Sequence, residues 1–143
     1  LAVSHRPMTY DGVEFTDADT LFARADYLTL HCPLTDETRG LVNSRTLSLM
    51  KPSAVLINTA SGGVVEEAAL TEALKNGTIR GAGIDVLDIE PMYKNHPYLT
   101  APNCYITPHV AWAAYEARVR LIDIVAENIR AFASGNPINS VTK

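Results

Sequence analysis

The chain has 143 residues, 47% of them apolar and 20% charged, which suits one domain with a sizeable buried core and argues against disorder. A formal net charge of -4 and a pI near 5.5 give no basic footprint for nucleic acid or for an acidic membrane surface. No apolar run reaches ~18 residues and no basic segment precedes an apolar leader, so neither a membrane span nor a signal peptide is expected.

LAVS, residues 1–4, is a short apolar strand candidate, and its start without Met reads as a piece of a longer chain. Residues 5–11 are polar, and residues 13–16 form a weak second strand candidate. Thr16 or Asp17 can cap a helix whose face carries Leu21, Phe22 and Ala25. YLTLHC, residues 27–32, is rich in strand formers, and Pro33 ends it. Asn43 can cap a short helix running to Met50, before AVLIN, residues 54–58, forms a wholly apolar strand.

The clearest short helix spans residues 65–76, with Ala69, Leu70, Ala73 and Leu74 at helical spacing and Gly77 as its stop. Residues 81–86 form a further strand in which Gly81, Ala82 and Gly83 permit close packing. A proline-punctuated loop over residues 90–102 follows, then a strand at 105–107 and one long helix at 113–133. Val119, Ile122, Val125, Ile129 and Phe132 make that helix's stripe, read as packing surface, and Gly135 and Pro137 end it. Apolar strands separated by helical patterns indicate an α/β fold with a parallel sheet and helices on both faces. Residues 1–135 read as one domain and NPINSVTK, residues 136–143, as a tail.

Ligands of an open α/β sheet gather beyond the carboxyl ends of its strands. Four groups fall at such ends: His31, Cys32 and Pro33; residues 58–63; Asp85; and His109. A carboxylate of Asp85 or Glu90 touching the His109 imidazole would raise its pKa and fix its orientation, which suits a proton donor. His31 reads equally as a pocket-lining group or as a structural histidine. His5 and Arg6 could meet a phosphate or form a solvated turn. Trp112 could shield a pocket from water. Cys32 and Cys104 read as buried free thiols in a reducing, cytoplasmic setting. His5, Cys32, His96 and Cys104 lack ligand-like spacing, so no metal centre is expected.

The segments ADYLTLHCPLTDETRGLVN, LMKPSAVLINTASGG, GAGIDVLDIEP and ITPHVAWAAYEAR together resemble the D-2-hydroxyacid dehydrogenases, in the branch of glycerate dehydrogenase and hydroxypyruvate reductase. The resemblance implies hydride transfer between NAD or NADP and a small 2-oxo or 2-hydroxy acid. It implies that His109 is the proton donor and acceptor, that Glu90 is its carboxylate partner, and that Asp85 lies near the nicotinamide. His31, Cys32, Pro33, Thr38, Thr59, Ala60 and Ala111 would line the cofactor. Arg6, beside His5, would favour the 2'-phosphate of NADP.

Two departures stand against this pattern. The resemblance implies a substrate-gripping arginine where this chain has Ser61, which fits a helix cap before Gly62 and Gly63. Arg6 and Arg39 do not share that strand end. No G-x-G-x-x-G occurs either, so the fold is read as an incomplete Rossmann-like sheet lacking its glycine-rich first strand-turn-helix unit, and residues 1–135 as a partial dinucleotide-binding domain. That absence would leave inner strand edges open, predicting pairing with another chain, a rearranged sheet, or strand exchange in a dimer. The alternative is a catalytically silent Rossmann-derived module.

Overall fold

Four apolar runs become one parallel sheet, β1 (Tyr27–Leu30), β2 (Val55–Asn58), β3 (Gly81–Ile84) and β4 (Cys104–Ile106), in that order across it. The computed structural model describes residues 1–4, 6 and 8–141, so His5 lies outside the described residues. The chain divides into two compact units, Leu1–His109 and Val110–Lys143. Each parallel pair needs a crossover, and helices supply the first two. α1 (Ala18–Arg24) precedes β1, and the crossover helices are α2 (Ser44–Leu49) and α3 (Glu67–Lys75).

The caps follow from the sequence. Asp17 accepts the Thr20 N–H at 2.9 Å at the start of α1. Asn43 and Thr46 exchange side-chain and backbone bonds in a capping box that starts α2. α3 begins two residues later than expected because Val65 forms a parallel bridge with Val42. Gly77 stops α3 at a φ of 68°. α1 packs on α2 and α2 on α3, so the helices form a layer flanking the sheet.

The cover of the sheet is uneven. Leu28, Leu30, Leu56, Asn58, Ala82 and Ile84 are buried. On the alternate positions Tyr27 and Tyr105 are exposed, at 72% and 75%, and Thr29 and Ile57 lie on the same row as Tyr105. β1 therefore alternates like a half-covered strand rather than a strand buried on both faces.

LAVS does not form a strand. Ala2 makes one parallel bridge to Phe15, and Tyr10 pairs with Val13 in a tight turn. β1 pairs with β2 and stands at the edge of the sheet, and among the described residues the Ala2 bridge stays isolated. The loop over residues 90–102 holds an unforeseen 3₁₀ turn, Pro97–Thr100, which packs on α3. The helix α4 (Tyr115–Ala133) buries none of its residues, so the stripe read as packing surface is exposed. Cys32 and Cys104 are free and half-buried. Burial pushes the Cys104 thiol up to about 11, which keeps it protonated near neutrality.

The turn after β2 lies against the segment that follows β3. A Cβ on Gly62 would stand 1.9 Å from the Leu87 carbonyl carbon and 2.1 Å from the Asp88 nitrogen. Only a glycine admits that backbone. Gly62→Ala is expected to destabilise the fold by roughly 1–3 kcal/mol through overpacking, read as a lower urea midpoint with an unchanged slope. An unchanged midpoint would show that the 87–88 backbone yields without cost.

Candidate active site

All four strands end in one row, with Leu30, Asn58, Ile84 and Ile106 in register. Their exits therefore share a rim: His31, Thr59, Asp85 and Thr107 emerge side by side. This is where a parallel sheet gathers ligand-binding groups.

At the exits of β3 and β4, three sequence-predicted residues come together. The buried Asp85, 5% exposed, accepts the Thr107 hydroxyl on Oδ1. The His109 N–H donates to the Asp85 carbonyl at 2.9 Å and to that of Thr107 at 3.0 Å. These bonds hold His109 in the left-handed region, at a φ of 55°, which is uncommon for a residue other than glycine. Glu90 is exposed, yet both of its oxygens are engaged. Oε1 accepts the Leu87 N–H at 2.9 Å and Oε2 meets His109 Nδ1 at 2.8 Å.

A carboxylate only accepts, so Nδ1 carries the proton of that bond and Nε2 is the nitrogen that changes protonation. The hydrogen bond to Glu90, aided by its charge, holds the His109 pKa above the ordinary histidine value. In turn the His109 bond, then the Leu87 N–H, hold the Glu90 carboxyl below its usual range. Asp85, Leu87, Glu90, Pro91, Met92, Ile106, Thr107, Pro108 and His109 line a cavity of about 530 Å³. An oriented imidazole of raised pKa on such a cavity can hold a proton and pass it to a group bound there.

The exits of β1 and β2 are built differently. The Asn58 amide, 1% exposed, closes the turn after β2 by donating to the Ser61 carbonyl at 2.9 Å and accepting the Ala60 N–H at 3.0 Å. Thr59 is exposed and Ala60 half-buried. Ser61 stands ahead of the 3₁₀ turn Gly62–Val64 and makes no capping bond with its side chain, so its reading as a cap is corrected. Backbone packing at Gly62 already fixes the turn.

After β1, His31 Nε2 lies 2.8 Å from the Thr29 hydroxyl, and Thr38 folds back to donate to the Pro33 carbonyl at 2.6 Å. His31 and Pro33 are exposed and Cys32 is half-buried. Arg6 donates its N–H to the Ser4 hydroxyl at 3.2 Å. Ala111 belongs to the second unit. Arg39 reaches within 3.9 Å of Asp88 and lines a separate cavity with Gly40, Gly63, Val65, Glu66 and Glu67. It is not among the residues around His109.

Sequence reasoning missed Asn58 and Thr107 as individual site-builders. Each stands at the last position of a strand or just past it, where a polar side chain after an apolar run is the only available signal.

The exits of β1 and β2 are open to a ligand. The small Ala60, the exposed Thr59 and Pro33, and the Thr38-braced loop leave an accessible rim beside the His109 cavity. No G-x-G-x-x-G is present to take a pyrophosphate on a helix N-terminus.

Comparison with known proteins extends these observations. The chain is 48% identical over 133 residues to the glycerate dehydrogenase of Methylorubrum extorquens, covering 92% of this chain and 42% of that protein. It is 39% identical over 133 residues to the hydroxypyruvate reductase of Blautia hydrogenotrophica, covering 93% and 41%. It also superposes on a crystallised acyclic imino acid reductase in complex with NADPH and D-Arg, with a TM-score of 0.88 and 36% identity, covering 98% of this chain and 45% of that one. The chain thus spans about two fifths of the length of the curated relatives it matches. The pattern of the D-isomer specific 2-hydroxyacid dehydrogenase NAD binding domain matches residues 2–111, and the chain belongs to that family.

Proposed function

We propose that this chain is the later part of the nucleotide domain of an enzyme that moves hydride between NAD(P)(H) and a small 2-hydroxy or 2-oxo acid. Hydroxypyruvate/glycerate and glyoxylate/glycolate are the substrate pairs. The observation that carries the reading is the 2.8 Å His109–Glu90 bond on the cavity beside Asp85.

When bound, the nicotinamide cofactor supplies hydride to the 2-carbon. His109 gives the Nε2 proton to the oxygen that becomes the hydroxyl, so one hydride and one proton convert the 2-oxo acid to the 2-hydroxy acid. Glu90 stabilises the imidazolium before transfer and keeps the ring turned toward the cavity. Asp85, braced by Thr107, fixes the His109 backbone. Asp85, His31, Cys32, Pro33, Thr38, Thr59 and Ala60 are assigned to the cofactor, and His5 with Arg6 to its adenosine end, where the guanidinium favours NADP.

The edge strand β1 supports pairing with a further strand, from the remainder of the protein or from a second copy. Among the described residues no helix is long and apolar enough to cross a membrane. The two free cysteines fit a reducing compartment such as the cytoplasm.

A second reading, a catalytically silent module, is favoured by one observation: Ser61 puts a neutral hydroxyl where the resemblance implies a guanidinium. Titrating NADH and NADPH while assaying hydroxypyruvate and glyoxylate reduction separates the two. The enzyme reading expects nucleotide binding and turnover in a protein that carries this segment together with a glycine-rich unit. Binding of neither nucleotide by that longer protein overturns it and leaves the silent module.

A further inference from the structure

Beneath the loop that carries Glu90 lies a buried histidine with no part in the proposed chemistry. His96 is 1% exposed and sits between the rings of Tyr93 and Tyr98, each with its centroid 4.9 Å away. Its Nδ1 accepts the Tyr98 N–H at 3.3 Å. With Nδ1 accepting, the ring proton belongs on Nε2. Nε2 lies 3.1 Å from Glu67 Oε2, off the line of a well-directed hydrogen bond, so the contact is a close charge–dipole approach.

The other oxygen of Glu67 reaches the segment that follows β3. Oε1 accepts the Asp88 N–H at 3.1 Å, and the preceding peptide N–H, that of Leu87, donates to Glu90 Oε1 at 2.9 Å. Two successive amides thus serve two carboxylates, one rooted in α3 and one paired with His109. Below them Gly62 admits the Leu87–Asp88 backbone, so the segment is held from beneath and from the helix side.

We propose that Glu67 is a positioning residue for the His109–Glu90 pair. Its carboxylate fixes the Leu87–Asp88 peptide so that the Leu87 N–H meets Glu90, and His96 fixes the carboxylate. The Asp88 N–H requires one accepting oxygen of Glu67, and His96 Nε2 lies against the negative charge on the other. An amide keeps one accepting oxygen and no charge, so it loses either the Asp88 bond or the charge that His96 approaches. An acid that merely complemented the α3 dipole would need no such reach.

This inference rests on the reading of His109 as proton donor for its consequence, but its test needs no turnover. The titratable and charged groups around the network are Glu90 and Asp85 facing His109, and His96 and Tyr98 facing Glu67, with Glu66, Asp88 and Arg39 on its open side.

The experiment follows the His109 ring resonances by NMR against pH in the intact chain, its Glu67→Gln and Glu90→Gln variants, and the double variant. Glu67→Gln is expected to lower the His109 midpoint toward that of Glu90→Gln and not below it. In the Glu90→Gln background it is expected to change nothing further, because Glu67 acts through Glu90. An unchanged midpoint in Glu67→Gln overturns the proposal. An equal drop in both backgrounds overturns it too, since the lost charge then acts directly through space. If Glu67→Gln does not fold, Glu67→Asp keeps the charge but shortens the reach, and an unchanged midpoint there overturns the proposal equally.

Discussion

Ser61→Arg is expected to raise hydroxypyruvate or glyoxylate reduction by roughly 10²–10⁴-fold in a protein that carries this segment with a complete nucleotide site. A hydroxyl offers one neutral hydrogen bond. A guanidinium offers a charged, often two-pronged grip on a carboxylate, a difference of roughly 2–5 kcal/mol. The turn is already built to hold such a side chain. Asn58 fastens it at Ala60 and Ser61, Gly62 fixes its backbone, and the Ser61 side chain makes no capping bond that would be lost. Arg39 does not replace it there, because it reaches toward Asp88 in a separate cavity. The measurement is kcat/KM for both acids with NADPH, before and after substitution. Equal values would show that Ser61 is not the substrate-gripping position. A gain confined to acids, absent for a neutral 2-oxo analogue, would tie it to the carboxylate.

The site became legible in the sequence wherever local chemistry determined the local structure. YLTL, VLIN and GAGI are strands because their apolar runs have no other stable placement, and Asn43 caps α2 because its side chain reaches the first-turn amides. Placing His31, residues 58–63, Asp85 and His109 at strand ends was enough to bring them to one rim. What stayed hidden depended on partners distant in the chain. LAVS has the composition of a strand but, among the described residues, makes a single bridge, Ala2 to Phe15. Residues 65 and 66 fit a helical pattern, yet the bridge from Val65 to Val42 outcompetes it. The 3₁₀ turn at Pro97–Thr100 is stabilised by packing on α3 and by a histidine acceptor ahead of it, neither of which has a periodic signature. His96 and Glu67 lie 29 positions apart, and their approach at 3.1 Å follows only from the fold.

His109→Asn is expected to lower reduction by roughly 10²–10⁴-fold, the usual share of a positioned general acid, while leaving nucleotide affinity unchanged. Asparagine is the informative replacement because it tolerates the left-handed backbone that His109 adopts at a φ of 55°. A loss then reports the missing imidazole rather than a refolded loop. The pH dependence supplies the sign. Glu90 holds the His109 pKa above its ordinary value, so the proton-donating form is present below the folded pKa and is lost as pH rises through it. Reduction therefore falls on the alkaline side, and oxidation of the hydroxy acid, which needs the neutral ring, rises there. Removing the carboxylate charge with Glu90→Gln shifts both limbs to lower pH. Stopped-flow rates in the two directions, measured across pH for the unsubstituted protein and both variants, check all three expectations. A pH profile that Glu90→Gln leaves in place would show that the group titrating in the rate is not His109.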